Sequence, residues 1–125
     1  MPILLDGPLG TALARRGADT SGPAWSARAL DEAPDLVAAI LADYAAAGAT
    51  VHTTATFRTR ARTLGPDWRR RVTRAVALAR SSVPAHHRIA GSLAPLEDCY
   101  RPDLSPTDPG PEHRVLADAL AAEGV

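Results

Sequence analysis

The predicted fold class is α/β with a parallel sheet, and two features of the sequence indicate it. Short apolar or β-branched runs alternate with longer segments that have helical periodicity, and each short run is followed by small or polar residues. Alternation of strand and helix is typical of parallel sheets with right-handed crossovers. The chain has 125 residues, which fits one domain.

Three segments are predicted as strands. Residues 3–5, Ile-Leu-Leu, form a continuous apolar run that ends at Asp6, which is typical of a strand buried on both faces. Residues 50–54 are rich in β-branched side chains, and 87–93 is the third candidate. Val125 stands where a fourth strand would begin.

Helices are predicted between and after these strands. They cover 9–16, 25–30, 34–47, 68–83 and 112–123. Gly17 suits a left-handed helix cap, and Asp67 is a predicted N-cap. The proline-rich segment 94–111 is longer than a simple connection needs, so we expect it to cover or bind something.

Composition excludes several classes of function. The 14 basic and 14 acidic residues cancel, so no overall field favours nucleic acid or an anionic membrane. The N-terminus lacks the basic flank and long apolar core of a signal peptide, and no apolar run reaches membrane-spanning length. Cys99 is the only cysteine, which excludes an internal disulfide and favours a reducing, cytoplasmic setting.

Small and polar residues follow each predicted strand, where parallel α/β folds bind ligands. These ends are Asp6-Gly7, residues 53–56 and Gly91-Ser92. Glycine lets the backbone approach a ligand closely, and the start of a helix offers free N–H groups to a carboxylate. With Asp6 holding an ammonium group, the set would suit a zwitterionic amino acid.

Simpler interpretations stay open at each of these positions. Asp6 would cap its own turn, and the threonines of 53–56 would only reflect β-propensity. DGPLGT is neither a phosphate-binding loop nor a dinucleotide fingerprint, because the lysine and the third glycine are missing. A free-standing α/β domain that binds a small anion at 6–11 is a further hypothesis.

The remaining chemistry-bearing residues have structural interpretations. His52 is expected to be a packed or hydrogen-bonded core histidine, and His86-His87 to be exposed before a strand. The arginine-rich stretch 58–74 is expected to be a solvated face, since too few aromatic residues lie within it for nucleic-acid stacking. Cys99 has no histidine at a suggestive spacing and is taken as an ordinary loop residue.

Five segments together resemble a known family. In order they are LLDGPLGTALARRG, WSARAL, DYAAAGA, VHTTATFRT and GSLAP. They are similar to the N-terminal half of the homocysteine S-methyltransferase family, which is related to betaine-homocysteine methyltransferase and to the homocysteine domain of cobalamin-dependent methionine synthase. The resemblance implies a partial (β/α)8 TIM barrel of three strand-helix units, with 1–125 as one incomplete homocysteine-binding domain.

The resemblance also implies a chemistry. In the family, zinc held by three cysteines activates the homocysteine thiolate, which attacks a small methyl donor and gives methionine. Carried over to this sequence, Asp6 would bind the substrate amino group. Backbone at Gly7 and the turn around Thr53 and Thr54 would bind its carboxylate.

Departures from the family pattern limit what is carried over. Pro8 stands where the family often has a second glycine, and Ala55 where an asparagine is common. The family's zinc cysteines lie in its C-terminal half, and Cys99 is not one of them. We therefore expect part of the amino-acid site, no zinc in this chain and no methyl transfer by it alone. The alternative is a non-catalytic partial barrel that pairs with a complementary chain or with itself.

Overall fold

The computed structural model describes residues 1–125, with six α-helices and two paired strands. The helices are α1 (Leu9–Arg15), α2 (Ala29–Glu32), α3 (Pro34–Ala46), α4 (Ala61–Leu64), α5 (Trp68–Ser82) and α6 (Gly110–Ala122). The strands are β1 (Val51–Thr53) and β2 (Arg88–Ala90), and 3₁₀ turns cover Trp25–Arg28, Gly65–Asp67 and Pro102–Leu104. The element order and the parallel pairing of β1 with β2 confirm the α/β class.

The sheet brings all three predicted strands side by side. Leu5 forms a parallel bridge to Val51, and the Asp6 N–H donates to the Val51 carbonyl at 3.0 Å. The register of the two strands pairs Val51 with Arg88, His52 with Ile89 and Thr53 with Ala90. Because the strands are parallel, their carboxyl ends meet at one edge of the sheet.

The first strand is shorter and more exposed than predicted. Only Leu5 bridges to β1, and Ile3, Leu4 and Leu5 are 64%, 53% and 56% exposed. The prediction of a strand buried on both faces is wrong here. Residues 3–5 lie at an edge of the sheet with β1 on one side only, so nothing covers their outer side.

Two apolar clusters hold the helices together, and α5 contributes to both. The first joins α1, α2, α3 and α5; its members are Leu13, Ala29, Leu30, Val37, Ile40, Leu41, Ala55, Ala75 and Ala79. The second joins α5 to α6 through Trp68, Val72, Val76, Leu116, Ala119 and Leu120. Helix α5 therefore packs Ala75 and Ala79 into the first cluster and Trp68, Val72 and Val76 into the second.

Helix α6 packs closely against Gly91, the residue that follows β2. A Cβ on Gly91 would lie 2.7 Å from Leu120 Cδ1, so a larger residue would push the helix away from the strand end. Glycine at this position therefore allows α6 to pack against the end of the strand.

Several helix boundaries differ from the prediction. Gly17 has φ +85°, as a left-handed cap requires, whereas Asp67 precedes α5 without a capping hydrogen bond from its side chain. Helix α4 forms inside the segment expected to be a loop. The Val125 N–H donates to the Leu120 carbonyl at 3.2 Å and closes α6. None of the helices combines the length and apolar character needed to cross a bilayer.

Candidate functional site

Asp6 is fixed to β1 through its side chain. Its Oδ2 accepts the Thr53 N–H at 2.8 Å, and the Thr53 hydroxyl donates to Oδ1 at 3.1 Å. Asp6 does not cap its own turn: Pro8 occupies the N-cap of α1, and no side chain caps that helix. A carboxylate offers about four acceptor positions, so the contacts from Thr53 leave room for another donor.

A buried ring of hydrogen bonds joins the ends of β1 and β2. The Thr54 hydroxyl lies 2.7 Å from the Thr56 hydroxyl, which donates to the Ser92 carbonyl at 2.8 Å. The Ser92 N–H returns to Thr56 Oγ1 at 3.1 Å. Thr54 and Thr56 are 3% and 0% exposed, so water does not compete for these bonds. The ring sets the separation of the two strand ends.

The strand ends open onto a small cleft of about 260 Å³. The first turn of α1, residues 8–11, forms one wall, and Thr53, Thr54 and Ala55 form the opposite one. Trp25, Ser26, Phe57 and Ser92 complete the lining. This open cleft has room for a ligand the size of an amino acid, and its volume lies below the roughly 300–1,000 Å³ of drug-sized sites.

Main-chain N–H groups at the cleft wall are free to donate hydrogen bonds to a ligand. Ala55 lines it, and its N–H makes no hydrogen bond within the chain. The first N–H groups of α1, at Leu9, Gly10 and Thr11, have no acceptor within the helix. Thr54 differs, because its N–H donates to the Ala90 carbonyl at 2.9 Å and its hydroxyl belongs to the ring. Free donors at this edge therefore come from main chain beside Thr54.

Trp25 forms a wall of the cleft with a strained backbone. Its φ is +45°, a value that non-glycine residues adopt rarely and that costs about 1–3 kcal/mol. The indole meets the Phe57 ring edge-to-face, with centroids 5.8 Å apart, and the Arg58 guanidinium lies over the same indole at 5.4 Å. These contacts hold the ring in place.

The structure brings together only part of the predicted binding set. Thr53 and Thr54 line the cleft, whereas Asp6 is not among the lining residues and adjoins the cleft through its bonds to Thr53. Gly7 does not line it; a Cβ on Gly7 would lie 2.6 Å from the Tyr44 ring, so glycine is needed there for packing. The assignment of these four residues to substrate stays a prediction.

Other lining residues were not assigned from the sequence. Ser92 was recognised at a strand end, but nothing local shows its bond to Thr56. Trp25 and Phe57 could have been selected from the sequence by one feature: they are aromatic residues that lie in connecting segments. The left-handed backbone of Trp25 has no signature in the sequence.

Two interpretations of charged residues need correction. Arg60 is only 5% exposed, so the stretch 58–74 is not uniformly solvated. His52 is buried and hydrogen-bonded as predicted, with its Nε2 3.0 Å from Nδ1 of His87. The prediction for His87 is wrong, because His87 is half-buried rather than exposed. Burial lowers the pKa of His87, and the charges of His86 and His52 lower it further.

The residues present do not make a zinc site. Structural and catalytic zinc needs at least three thiolate, imidazole or carboxylate ligands converging on one point. No group of three such side chains converges anywhere in the chain. Cys99 is the only thiol and is half-buried in the proline-rich segment. No chemistry of this chain is therefore derived through a bound metal.

Comparison with known proteins gives the family. The family model described as homocysteine S-methyltransferase matches residues 3–125. Homocysteine S-methyltransferase 3 of Zea mays is 41% identical over 56 residues, which is 45% of this chain and 17% of that protein. Homocysteine S-methyltransferase YbgG of Bacillus subtilis is also 41% identical over 56 residues, 45% of this chain and 18% of its own.

A solved structure matches over the whole chain. The metallated form of the homocysteine methyltransferase MmuM from Escherichia coli superposes with a TM-score of 0.81 at 28% identity. The match covers 100% of this chain and 52% of MmuM, so the chain spans about half the length of that relative. The prediction of a partial (β/α) barrel is confirmed, and the chain belongs to the homocysteine S-methyltransferase family.

Proposed function

We propose that this chain supplies the amino-acid end of a homocysteine-binding site, within an activity that methylates the homocysteine thiol and forms methionine in the cytoplasm. One observation carries the proposal: the Asp6 carboxylate is fixed at the end of the first strand beside Thr53, which lines a cleft of amino-acid size. Relatives named as homocysteine S-methyltransferases support the choice of amino acid.

Asp6 binds the substrate ammonium in this proposal. Thr53 holds the carboxylate in one orientation through its N–H and its hydroxyl. A carboxylate that is already held in place loses little conformational entropy when it binds a ligand. An ammonium group brings three donors, and about two of the four acceptor positions of the carboxylate stay free beside Thr53.

The substrate carboxylate binds to main-chain N–H groups at the cleft wall. The free N–H of Ala55 lies directly after Thr54, and the first turn of α1 faces the same space. Gly7 does not line the cleft, so in this proposal its close packing on Tyr44 fixes the turn that leads into α1 and does not contact the carboxylate. Thr54 acts mainly by fixing this turn, since its own donors are used inside the protein.

This chain's share of the reaction is binding and orientation. Activation of a thiol requires its deprotonation, which zinc provides when three ligands hold it. Those ligands are not among the residues present. We therefore expect amino-acid binding by the 125-residue chain and no methyl transfer by it alone.

Calorimetry with L-homocysteine tests the proposal. Asp6→Asn should weaken binding about 10- to 100-fold, the loss of a charge-assisted hydrogen bond of about 1.5–3 kcal/mol. 4-Mercaptobutanoate, which lacks the ammonium, should bind wild type and Asp6→Asn with equal, low affinity. Asp118→Asn is the control, because Asp118 is exposed on α6 and makes no ion pair. Equal affinity of Asp6→Asn and wild type for homocysteine would refute the role of Asp6.

A second candidate function follows from the exposed sheet edge. Residues 3–5 and Leu93, 43% exposed, present apolar surface at the ends of the sheet. Such edges pair readily with other strands. In this alternative the chain is a non-catalytic partial barrel that binds a complementary half-barrel or a second copy.

Co-expression with the C-terminal half of a family member distinguishes the two candidates. A 1:1 complex that lacks methyl transfer would support the non-catalytic subunit, and a complex that regains methyl transfer would support the first proposal. Light scattering of the chain alone tests self-association. A stable monomer in both experiments would exclude pairing.

A further inference from the structure

Arg60 carries a positive charge that is buried and unpaired. The residue is 5% exposed, and no carboxylate oxygen lies within 4.0 Å of its nitrogens. It also stacks on no aromatic ring, in contrast to Arg58 and Arg69. Removing a charge from water is unfavourable unless an opposite charge lies nearby. An anion from outside the chain would therefore be favoured beside Arg60.

The guanidinium group of Arg60 is held in place with its Nε–H left without an acceptor. Nη2 donates to the Leu96 carbonyl at 2.7 Å, and Nη1 donates to the Phe57 carbonyl at 3.3 Å. Both acceptors are neutral, so they orient the group and leave its charge unbalanced. Nε is buried and makes no hydrogen bond. A buried donor without an acceptor destabilises the fold, so an acceptor that reached Nε would be stabilised.

The charges that act on Arg60 sum to one positive unit. Burial is the main cause that lowers the pKa of Arg60, and the charges of Arg58 and Arg62 lower it further. Glu97 and Glu112 raise this pKa, but both are paired with Arg62. Three guanidinium groups thus face two carboxylates. One monovalent anion would balance the cluster.

Arg60 lines a small cavity between α4, α5, α6 and the proline-rich segment. The cavity has a volume of about 160 Å³. A water molecule occupies about 30 Å³ of the liquid, so a small ion fits there together with water. Most of the wall is apolar, and it includes Trp68, Leu96, Val115 and Leu116. The other charged lining residues, Arg62 and Glu112, pair with each other, so Arg60 is the group that attracts an anion into this space.

The donors at Arg60 favour a spherical anion over a carboxylate or a dianion. A carboxylate binds arginine best through two parallel N–H groups. Nη2, which would form such a pair with Nε, already donates to the Leu96 carbonyl. A dianion would exceed the single positive charge of the cluster, and Glu112 in the cavity wall would repel it. A halide needs one strong donor and can lie against apolar walls.

We propose that a halide ion, chloride in the cell, binds to Arg60 Nε–H in this cavity as a structural counterion. The ion lies where α4 and α6 meet the proline-rich segment, and it stabilises the packing of these elements on α5. The site goes beyond the proposed function and does not depend on it, because the cavity and the strand-end cleft share no lining residue.

Chloride NMR linewidths of the full chain test the assignment, because bound chloride broadens the resonance of the free ion with which it exchanges. Wild type should give broadening that bromide displaces, and acetate and sulfate should displace it at least 10-fold more weakly than bromide. Arg60→Met keeps an unbranched side chain and removes the charge, so chloride affinity should fall at least 10-fold. Arg15→Met is the matched control, because Arg15 is exposed on α1 and makes no ion pair. Its chloride affinity should equal that of wild type.

Thermal unfolding of wild type tests the same site without a variant, in case Arg60→Met does not fold. At constant ionic strength, chloride in place of gluconate should raise the melting temperature by about 4–8 °C at ten times its dissociation constant. The proposal would be overturned by a melting temperature that is the same in both salts, or by wild-type broadening that bromide does not displace. Equal chloride affinity of Arg60→Met and wild type, or displacement by acetate or sulfate as strong as that by bromide, would also overturn it.

Discussion

Thr56→Val tests whether the buried ring joins the two strand ends. Valine has nearly the shape of threonine, so the change removes the hydroxyl and little else. Thr56 then loses its bonds to the Thr54 hydroxyl, the Ser92 carbonyl and the Ser92 N–H. The Ser92 N–H keeps a longer contact of 3.3 Å to Thr54, and Ser92 is half-buried. With one or two groups left unsatisfied, we expect a loss of about 2–3 kcal/mol in the free energy of unfolding.

Equilibrium urea unfolding measures this loss, with Thr56→Ser as the comparison. Serine keeps the hydroxyl and lacks one methyl group, which is worth about 1 kcal/mol. Valine should therefore be less stable than serine, and its melting temperature lower than that of wild type by about 6–15 °C. Homocysteine affinity should fall for valine and recover for serine, because the ring positions the cleft wall. A valine variant as stable as the serine variant would refute the reasoning.

The remaining predictions concern three glycines and one histidine. Gly7→Ala should lower the free energy of unfolding by about 1–3 kcal/mol, because the added Cβ would lie 2.6 Å from the Tyr44 ring. Gly10→Ala should instead stabilise α1 by about 0.5–1 kcal/mol in the same urea unfolding assay, because its added Cβ would lie 3.8 Å from the nearest neighbouring atom. Gly91→Ala should also lower the free energy of unfolding by about 1–3 kcal/mol, because the added Cβ would meet Leu120 on α6. Combining it with Leu120→Ala should restore part of that loss. The pKa of His87 is lowered in the folded state, so the unfolded chain binds more protons below about pH 6.5. The free energy of unfolding should therefore fall as the pH drops through that value. In His87→Gln the melting temperature should depend less on pH between pH 7.5 and 5.5 than it does in the wild type.

The fold class can be predicted from the sequence because the alternation of strand and helix patterns repeats along the chain. Each helix carries its own apolar periodicity, and the order of elements needs no long-range information. The first strand shows where this reasoning fails. Its Ile-Leu-Leu run predicts burial, but burial depends on which elements lie beside it, and residues 3–5 have β1 on one side only.

The site is less predictable than the fold for a related reason. Asp6, Thr53 and Thr54 can be selected from the sequence because they follow strands, but their partners are set by the register between strands. The bond from Thr53 to Asp6 spans 47 positions, and that from Thr56 to Ser92 spans 36. Neither spacing has a local pattern.

Polar residues at this edge bind one another before they bind any ligand. Asp6 joins the first strand to β1 through Thr53, and Thr56 joins β1 to Ser92 after β2. A substitution at Asp6 therefore changes strand pairing as well as ligand binding, and weaker binding by such a variant does not by itself show direct contact. A change in the ligand does separate the two effects. If 4-mercaptobutanoate and homocysteine differ in affinity for the unaltered chain, the ammonium contributes to binding; if that difference disappears in Asp6→Asn, the contribution passes through Asp6.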